Sequence, residues 1–302
     1  MKKGGASFIA LAGILYGSVT IGGSLFSKSG LSVLDTSFFF IFFSIFVLAP
    51  FALARDRKIF LKMKSNLKYL SSYAVVNLFL LLAQFGSLSL GVSPPTVAFL
   101  LYTQPVWTII FGYFIFKEKI TLGRIGIILV ALTGVLLITN PTSVSLSGKS
   151  TALGELVALS GGVFLSLWVI LGKKGRLDQI EDPVALTFAV RTFSVIPIGL
   201  VCLGAFALKR GLFLGNTPLL YSLLIFLVLF SIVGGALPDY LFYRGVSGVR
   251  SLQAGVILLL EPVSATIMSI VLSISALSPL ELLGGGLILI SNYLVMRETK
   301  SS

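Results

Sequence analysis

The chain has no histidine and one cysteine, Cys202, in 302 residues. Imidazole is the commonest metal ligand and the side chain best matched to proton transfer near neutral pH. Its absence excludes metal centres and acid–base catalysis built on it, and no metal or cofactor is expected. A lone cysteine cannot close an internal disulfide; Cys202 lies in an apolar run and reads as a small buried residue. Charge is scarce too. Only 11% of residues are Asp, Glu, Lys or Arg, where soluble domains carry about a quarter. Acids are scarcer than bases, 11 against 23, for a formal charge of +12. In a soluble protein that excess would suggest nucleic acid. Here the bases sit between long apolar runs, so no nucleic-acid partner is expected and the charge is read loop by loop.

What remains is apolar: 56% hydrophobic residues and a mean hydropathy of +1.03. Runs of about 20 residues recur, each able to cross a ~30 Å hydrocarbon core as a helix. They lack the alternation of membrane β-strands. Ten spans are predicted: Ala6–Phe26, Thr36–Ala54, Tyr69–Leu90, Pro94–Phe116, Leu122–Ile138, Ala152–Leu171, Pro183–Leu208, Pro218–Tyr243, Ser251–Ala276 and Pro279–Met296. The pairs Ser93-Pro94, Asp182-Pro183, Thr217-Pro218 and Ser278-Pro279 each set a capping side chain before a first-turn proline. Ser278 with Glu281 adds a capping box.

With the N-terminus cytoplasmic, eighteen of the 23 bases fall on inside segments, four fall outside, and Arg191 lies within a span. That asymmetry predicts ten spans with both termini cytoplasmic. The first apolar run is too long for a signal peptide and shows no small-residue cleavage site. The expected fold is an all-α integral membrane protein of the cell (inner or plasma) membrane, crossing it many times.

The chain also repeats. At an offset of 157, Gln104-Pro105-Val106 aligns with Glu261-Pro262-Val263, and Gly91-Val92 with Gly248-Val249. Two copies with five spans each must lie upside down to one another, an architecture recurrent in secondary transporters. The expected units are residues 1–140 and 152–297.

These residues resemble the EamA-type transporters of the drug/metabolite transporter superfamily. In the first unit the resemblance rests on Leu90-Gly91-Val92, Gln104-Pro105-Val106, Phe116-Lys117-Glu118-Lys119-Ile120-Thr121 and Gly134-Val135. In the second it rests on Gly154-Glu155-Leu156, Gly248-Val249, Gly255, Leu260-Glu261-Pro262-Val263 and Gly284-Gly285-Gly286. Two positions depart from the pattern: Ser275 stands where the counterpart of Glu118 is expected, and Ser291 stands opposite Gly134. The resemblance implies a ten-helix bundle around a central cavity, and export or exchange of small metabolites such as amino acids by alternating access.

Glu261 is the sharpest candidate for a site. It lies about ten residues into its span, where an ionised carboxylate costs at least ~2.5–3.5 kcal/mol. Pro262 has no N–H and leaves the Leu258 carbonyl without its helical partner. Carboxyl and carbonyl together suit a substrate amine or a proton; alternatively, the acid braces the proline break. Gln104, before Pro105, is its neutral counterpart, sharing a helix face with Thr108 and Gly112. Gln84, Gln253 and Asp239 are the other polar candidates, and Tyr16, Tyr102, Trp107, Trp168 and Tyr243 the aromatic ones. Arg191 either snorkels to the cytoplasmic face or pairs with Asp239. The amides could equally make interhelical hydrogen bonds, and the aromatics could face lipid. Pro238 suggests a further broken helix. Gly13, Gly17, Gly161, Gly162, Gly234 and Gly235 form stripes suited to close packing. Arg55–Lys68 reads as a cytoplasmic loop against anionic lipid.

The function expected is a non-enzymatic secondary transporter or exporter of a small-molecule substrate. Membrane lipids are expected partners, a proton or counter-substrate is the coupled species, and the state is monomer or homodimer. The alternatives are a lipid flippase and an intramembrane lipid-modifying enzyme that would rely on Asp239 or Glu261.

Overall fold

The computed structural model describes residues 4–28, 33–90, 92, 94–139, 152–207, 220–272 and 278–301. Every regular element among them is helical: α1 (Gly5–Lys28), α2 (Val33–Arg55), α3 (Ile59–Ser65), α4 (Leu67–Ser89), α5 (Pro94–Leu101), α6 (Gln104–Phe116), α7 (Leu122–Thr139), α8 (Ala152–Lys174), α9 (Pro183–Ala207), α10 (Leu220–Phe230), α11 (Leu237–Val246), α12 (Ser251–Leu258), α13 (Leu260–Val271) and α14 (Pro279–Ser301). Two π-helical turns, Gly175–Gln179 and Ser231–Ala236, extend α8 and join α10 to α11. Among the described residues, eight helical stretches are long and apolar enough to cross a membrane. The other two expected spans correspond to shorter apolar windows, Gly5–Val19 and Leu122–Ile138.

Helix starts follow local chemistry. Ala185 N donates to Asp182 Oδ1 at 2.8 Å, one residue before Pro183 fixes the first turn. Ser278 and Glu281 close a reciprocal pair, Ser278 N to Glu281 Oε2 at 2.8 Å and Glu281 N to Ser278 Oγ at 3.2 Å. Ser93, Thr217, Ser275 and the boundary Asn140–Thr151 lie outside the described residues. At Pro238 the chain does not break. The Leu237 N–H reaches back five residues to Ile232 O, so the ladder widens by one residue just before the proline that cannot donate.

The helices pair in a repeating scheme. α4, α5 and α6 pack on α8; α11, α12 and α13 pack on α1; α2 packs on α9, and α7 on α14. Glycines set the closest approaches. A Cβ at Gly17 of α1 would sit 2.6 Å from Ser264 Oγ and 2.7 Å from Ala265 N of α13, and one at Gly162 of α8 2.6 Å from Thr103 Oγ1. Small residues of this kind let backbones touch where lipid supplies no hydrophobic drive. The largest apolar core, including Ile9, Tyr73, Leu186, Phe242 and Ile257, lies toward the end where α1, α4, α9 and α12 begin. Large apolar side chains such as Phe46, Phe114, Leu200, Phe226 and Leu283 are exposed on the outside, as a lipid-facing surface requires.

One expectation is corrected. Arg55–Lys68 is not all loop: Ile59–Ser65 forms α3, with Ile59 and Met63 buried one turn apart against α4 and α9. Two apolar residues at four-residue spacing suffice to seat a short helix among basic neighbours.

Candidate functional site

Two helices are interrupted at matching places. Between α5 and α6, Thr103 takes φ −68°, ψ −5°; between α12 and α13, Leu259 takes φ −65°, ψ 0°. Pro105 and Pro262 follow in the first turns of α6 and α13, where a missing N–H breaks no ladder bond. They start the second half-helices rather than kink continuous ones. The opened backbone finds local partners: Thr103 Oγ1 donates to Leu100 O at 2.7 Å, Trp107 Nε1 donates to Thr103 Oγ1 at 3.3 Å, and Leu259 N donates to Val256 O at 3.1 Å. Each break is seated on glycine. Gly162 of α8 backs the first, and Gly13 of α1 backs the second, its Cβ position 3.3 Å from Ile257 O.

Glu261 stands at the second break and faces the Tyr102 phenol at the first. Both are half-buried, while their neighbours Leu101, Leu260 and Pro262 are buried. Tyr16 and Trp107 are half-buried as well. A carboxyl and a phenol therefore meet where the two half-helix pairs come together.

Beside them lies a charged triad. The Tyr16 hydroxyl donates to Asp239 Oδ1 at 2.5 Å, and Arg191 Nε donates to Asp239 Oδ2 at 2.8 Å. Arg191 also lies over the Phe40 ring, 4.9 Å from its centroid. Arg191 does not snorkel. It is 7% exposed and Asp239 3%, so each neutralises the other within the bundle.

One end of the bundle is sealed. The Tyr243 hydroxyl donates to the Tyr73 hydroxyl at 2.7 Å, which donates to Trp168 O at 3.0 Å; Arg176 Nε donates to Tyr243 O at 2.7 Å. The Trp168 ring packs 4.6 Å from Phe242. Farther out, Glu118 accepts from Lys173 Nζ at 2.6 Å, Ser251 N at 2.8 Å and Ser251 Oγ at 3.0 Å. Lys173 also sits 4.6 Å from the Phe116 ring centroid. This latch joins the end of α6, the end of α8 and the start of α12.

The structure thus divides the sequence candidates. Glu261, Tyr102, Tyr16 and Trp107 flank the breaks, with Asp239 bonded to Tyr16. Trp168 and Tyr243 are buried in the seal and do not face lipid. Gln104 is buried in a helix seam: its Nε2 donates to Thr108 Oγ1 at 2.5 Å, and that hydroxyl lies 2.8 Å from Ser166 Oγ. Gln253 Oε1 accepts from Arg250 N at 3.0 Å as a helix cap, and its buried Nε2 meets no acceptor among the described residues. Gln84 is half-buried on α4. Tyr73, Lys173, Ser251 and Arg176 carry no local sequence signal.

The model of the EamA-like transporter family matches the chain twice, over residues 3–140 and 152–297. An uncharacterized transporter of Clostridium kluyveri is 28% identical over 277 residues, covering 90% of this chain and 86% of that one. An uncharacterized transporter of Archaeoglobus fulgidus is 26% identical over 194 residues, 64% of each chain. A crystal structure of another protein superposes over 100% of this chain and 99% of its own with a TM-score of 0.75, at 18% identity; at that identity the likeness is one of fold. Apolar membrane-length helices, a repeated motif at two helix breaks and a family match over both halves agree: the chain is a multi-pass membrane protein that belongs to the EamA-like transporter family.

Proposed function

We propose that the chain is a secondary transporter that moves a small polar or amphipathic metabolite, such as an amino acid, out of the cell by alternating access. In this reading ten spans form two inverted five-helix units with both termini cytoplasmic. The exchange of packing partners between α1 and α8, each carrying three segments of the other half, supports the two-unit arrangement. The basic residues Arg55, Lys117, Lys173 and Arg244 at the sealed end support a cytoplasmic position for it. The substrate site lies between the breaks, and the observation that carries it is the half-buried Glu261 carboxylate opposite Tyr102 at the paired interruptions. Helix breaks at bilayer depth are tolerated where they line protein or a wet cavity. Glu261 binds a substrate amine or a coupled proton, Tyr102 orients it, and Tyr16 and Trp107 supply apolar walls.

The test is transport of labelled amino acids in proteoliposomes, with and without a pH gradient. Gradient-driven accumulation is expected in the wild type. Glu261→Gln should abolish accumulation while sparing exchange; unchanged accumulation would remove Glu261 from coupling.

A further inference from the structure

The face beside the seal holds a feature that transport does not use. A cavity of about 440 Å³ opens at the junction of α3 and α4, lined by Lys64, Ser65, Asn66, Lys68 and Gln179 among others, with no acidic side chain in its wall. Four acids lie on this strip: Asp56 and Asp182 are ion-paired, Glu181 acts on Lys62, and Asp178 adjoins Gln179 without lining the recess. Asp56 accepts from Lys62 at 2.6 Å, which holds its carboxyl below the usual carboxylate range, and Asp182 pairs with Arg55 at 3.5 Å. Lys64 and Lys68 have no carboxylate within ion-pair distance among the described residues. Two lysines and the Gln179 amide therefore line one recess with their donors unspent.

Apolar side chains flank the recess. Phe60, Leu61 and Leu67 are 58%, 65% and 53% exposed, although Ile59 and Met63 of the same short helix are buried against the bundle. A helix with one apolar pair fixed to the protein, another turned outward and lysines between them fits a membrane surface: outward side chains enter the acyl boundary and the ammonium groups stay at head-group level.

We propose that the α3–α4 junction is a binding site for one anionic phospholipid, whose phosphodiester enters the recess between Lys64 and Lys68 while its chains run beside Phe60 and Leu61. Charge complementarity selects the ligand class. A zwitterionic lipid would bring a choline cation to a wall already positive, whereas an anionic head meets donors only. The site depends on membrane residence and not on the transport cycle.

Purified full-length protein in neutral detergent, titrated with dioleoylphosphatidylglycerol and followed by thermal unfolding, tests this. Stabilisation by phosphatidylglycerol and none by phosphatidylcholine is expected. At about 1 kcal/mol per basic residue near the surface, Lys64→Gln with Lys68→Gln should raise the half-saturating lipid concentration about thirtyfold. Lys117→Gln with Lys119→Gln, an exposed basic pair elsewhere on the same face, should leave it unchanged. Equal response to both lipids, or an unshifted titration in the Lys64/Lys68 variant, would overturn the proposal. Full competition by millimolar glycerol phosphate would also overturn it, reassigning the recess to soluble phosphate esters. If the double variant does not fold, Lys64→Arg with Lys68→Arg decides: it keeps both charges and should bind phosphatidylglycerol as the wild type does, and loss of binding there refutes the assignment.

Discussion

Replacing Arg191 with methionine strands the Asp239 carboxylate inside the bundle, and the structure sets the size of the effect. Asp239 accepts from Arg191 at 2.8 Å and from Tyr16 at 2.5 Å. Removing one partner of a buried pair costs about 3–5 kcal/mol, because the other charge is left without compensation. The Tyr16 hydrogen bond survives and is worth about 1.5–3 kcal/mol to a charged acceptor, so Arg191→Met should fall near the low end, about 3 kcal/mol. Asp239→Asn leaves Arg191 with the Phe40 face, a cation–π contact worth up to about 2 kcal/mol, and should cost about 2–3 kcal/mol. The double variant Arg191→Met/Asp239→Asn strands neither charge and leaves Tyr16 an amide acceptor. It should lie within about 1 kcal/mol of wild type, as buried ion pairs replaced by neutral residues commonly do. Reversible unfolding in mixed dodecyl maltoside–SDS micelles measures all four proteins, and the coupling from the cycle should be at least ~3 kcal/mol. A double variant as destabilised as the sum of the singles would refute the reasoning, since each charge would then have a separate partner.

Other positions give sharper or smaller effects. Gly162→Ala drives a methyl into Thr103 Oγ1 and, at 2.9 Å, Leu100 O; a loss of about 1–3 kcal/mol in the same unfolding assay is expected. Gly123→Ala and Gly126→Ala in α7 meet nothing within 4 Å and should each stabilise by about 0.5–1 kcal/mol. Glu118→Gln leaves Lys173, 7% exposed, without its anion and should cost about 3–5 kcal/mol, whereas Ser251→Ala keeps the backbone donor and should cost about 1 kcal/mol. Tyr73→Phe deletes the hydroxyl that links Tyr243 to the Trp168 carbonyl. A loss of about 1–3 kcal/mol in the same unfolding assay is expected.

The sequence announces what is written locally. Apolar run length marks the helices, and Asp182, Ser278 and Glu281 state their own caps within three residues. The repeated Pro-Val after Gln104 and Glu261 marks both interruptions, because a proline there has a backbone consequence whatever surrounds it. The cross-bundle chemistry is not written locally. Tyr73 and Tyr243 are 170 residues apart in the chain, and Glu118 and Ser251 are 133 apart; no spacing rule joins them. Gln104 looks like a ligand and packs as a seam residue, since an amide satisfies either role and only its neighbours Thr108 and Ser166 decide. Helix α3 is written only in the one-turn apolar pair Ile59 and Met63. The π-helical turn at Ser231–Ala236 is not written, because an i−5 ladder has no distinctive composition.

The α7–α14 contact has a mechanical consequence. A Cβ on Gly134 would meet Gly284 O at 2.7 Å, and one on Gly284 would meet Gly134 O at 2.5 Å. Main chains this close cannot ratchet by a turn without first separating, since Thr133 and Val135 on either side of Gly134 carry side chains that would have to pass the α14 backbone. In the proposed transport cycle that seam would stay shut while the halves swing about it, with α7 and α14 as the axle and the interrupted helices as the moving arms.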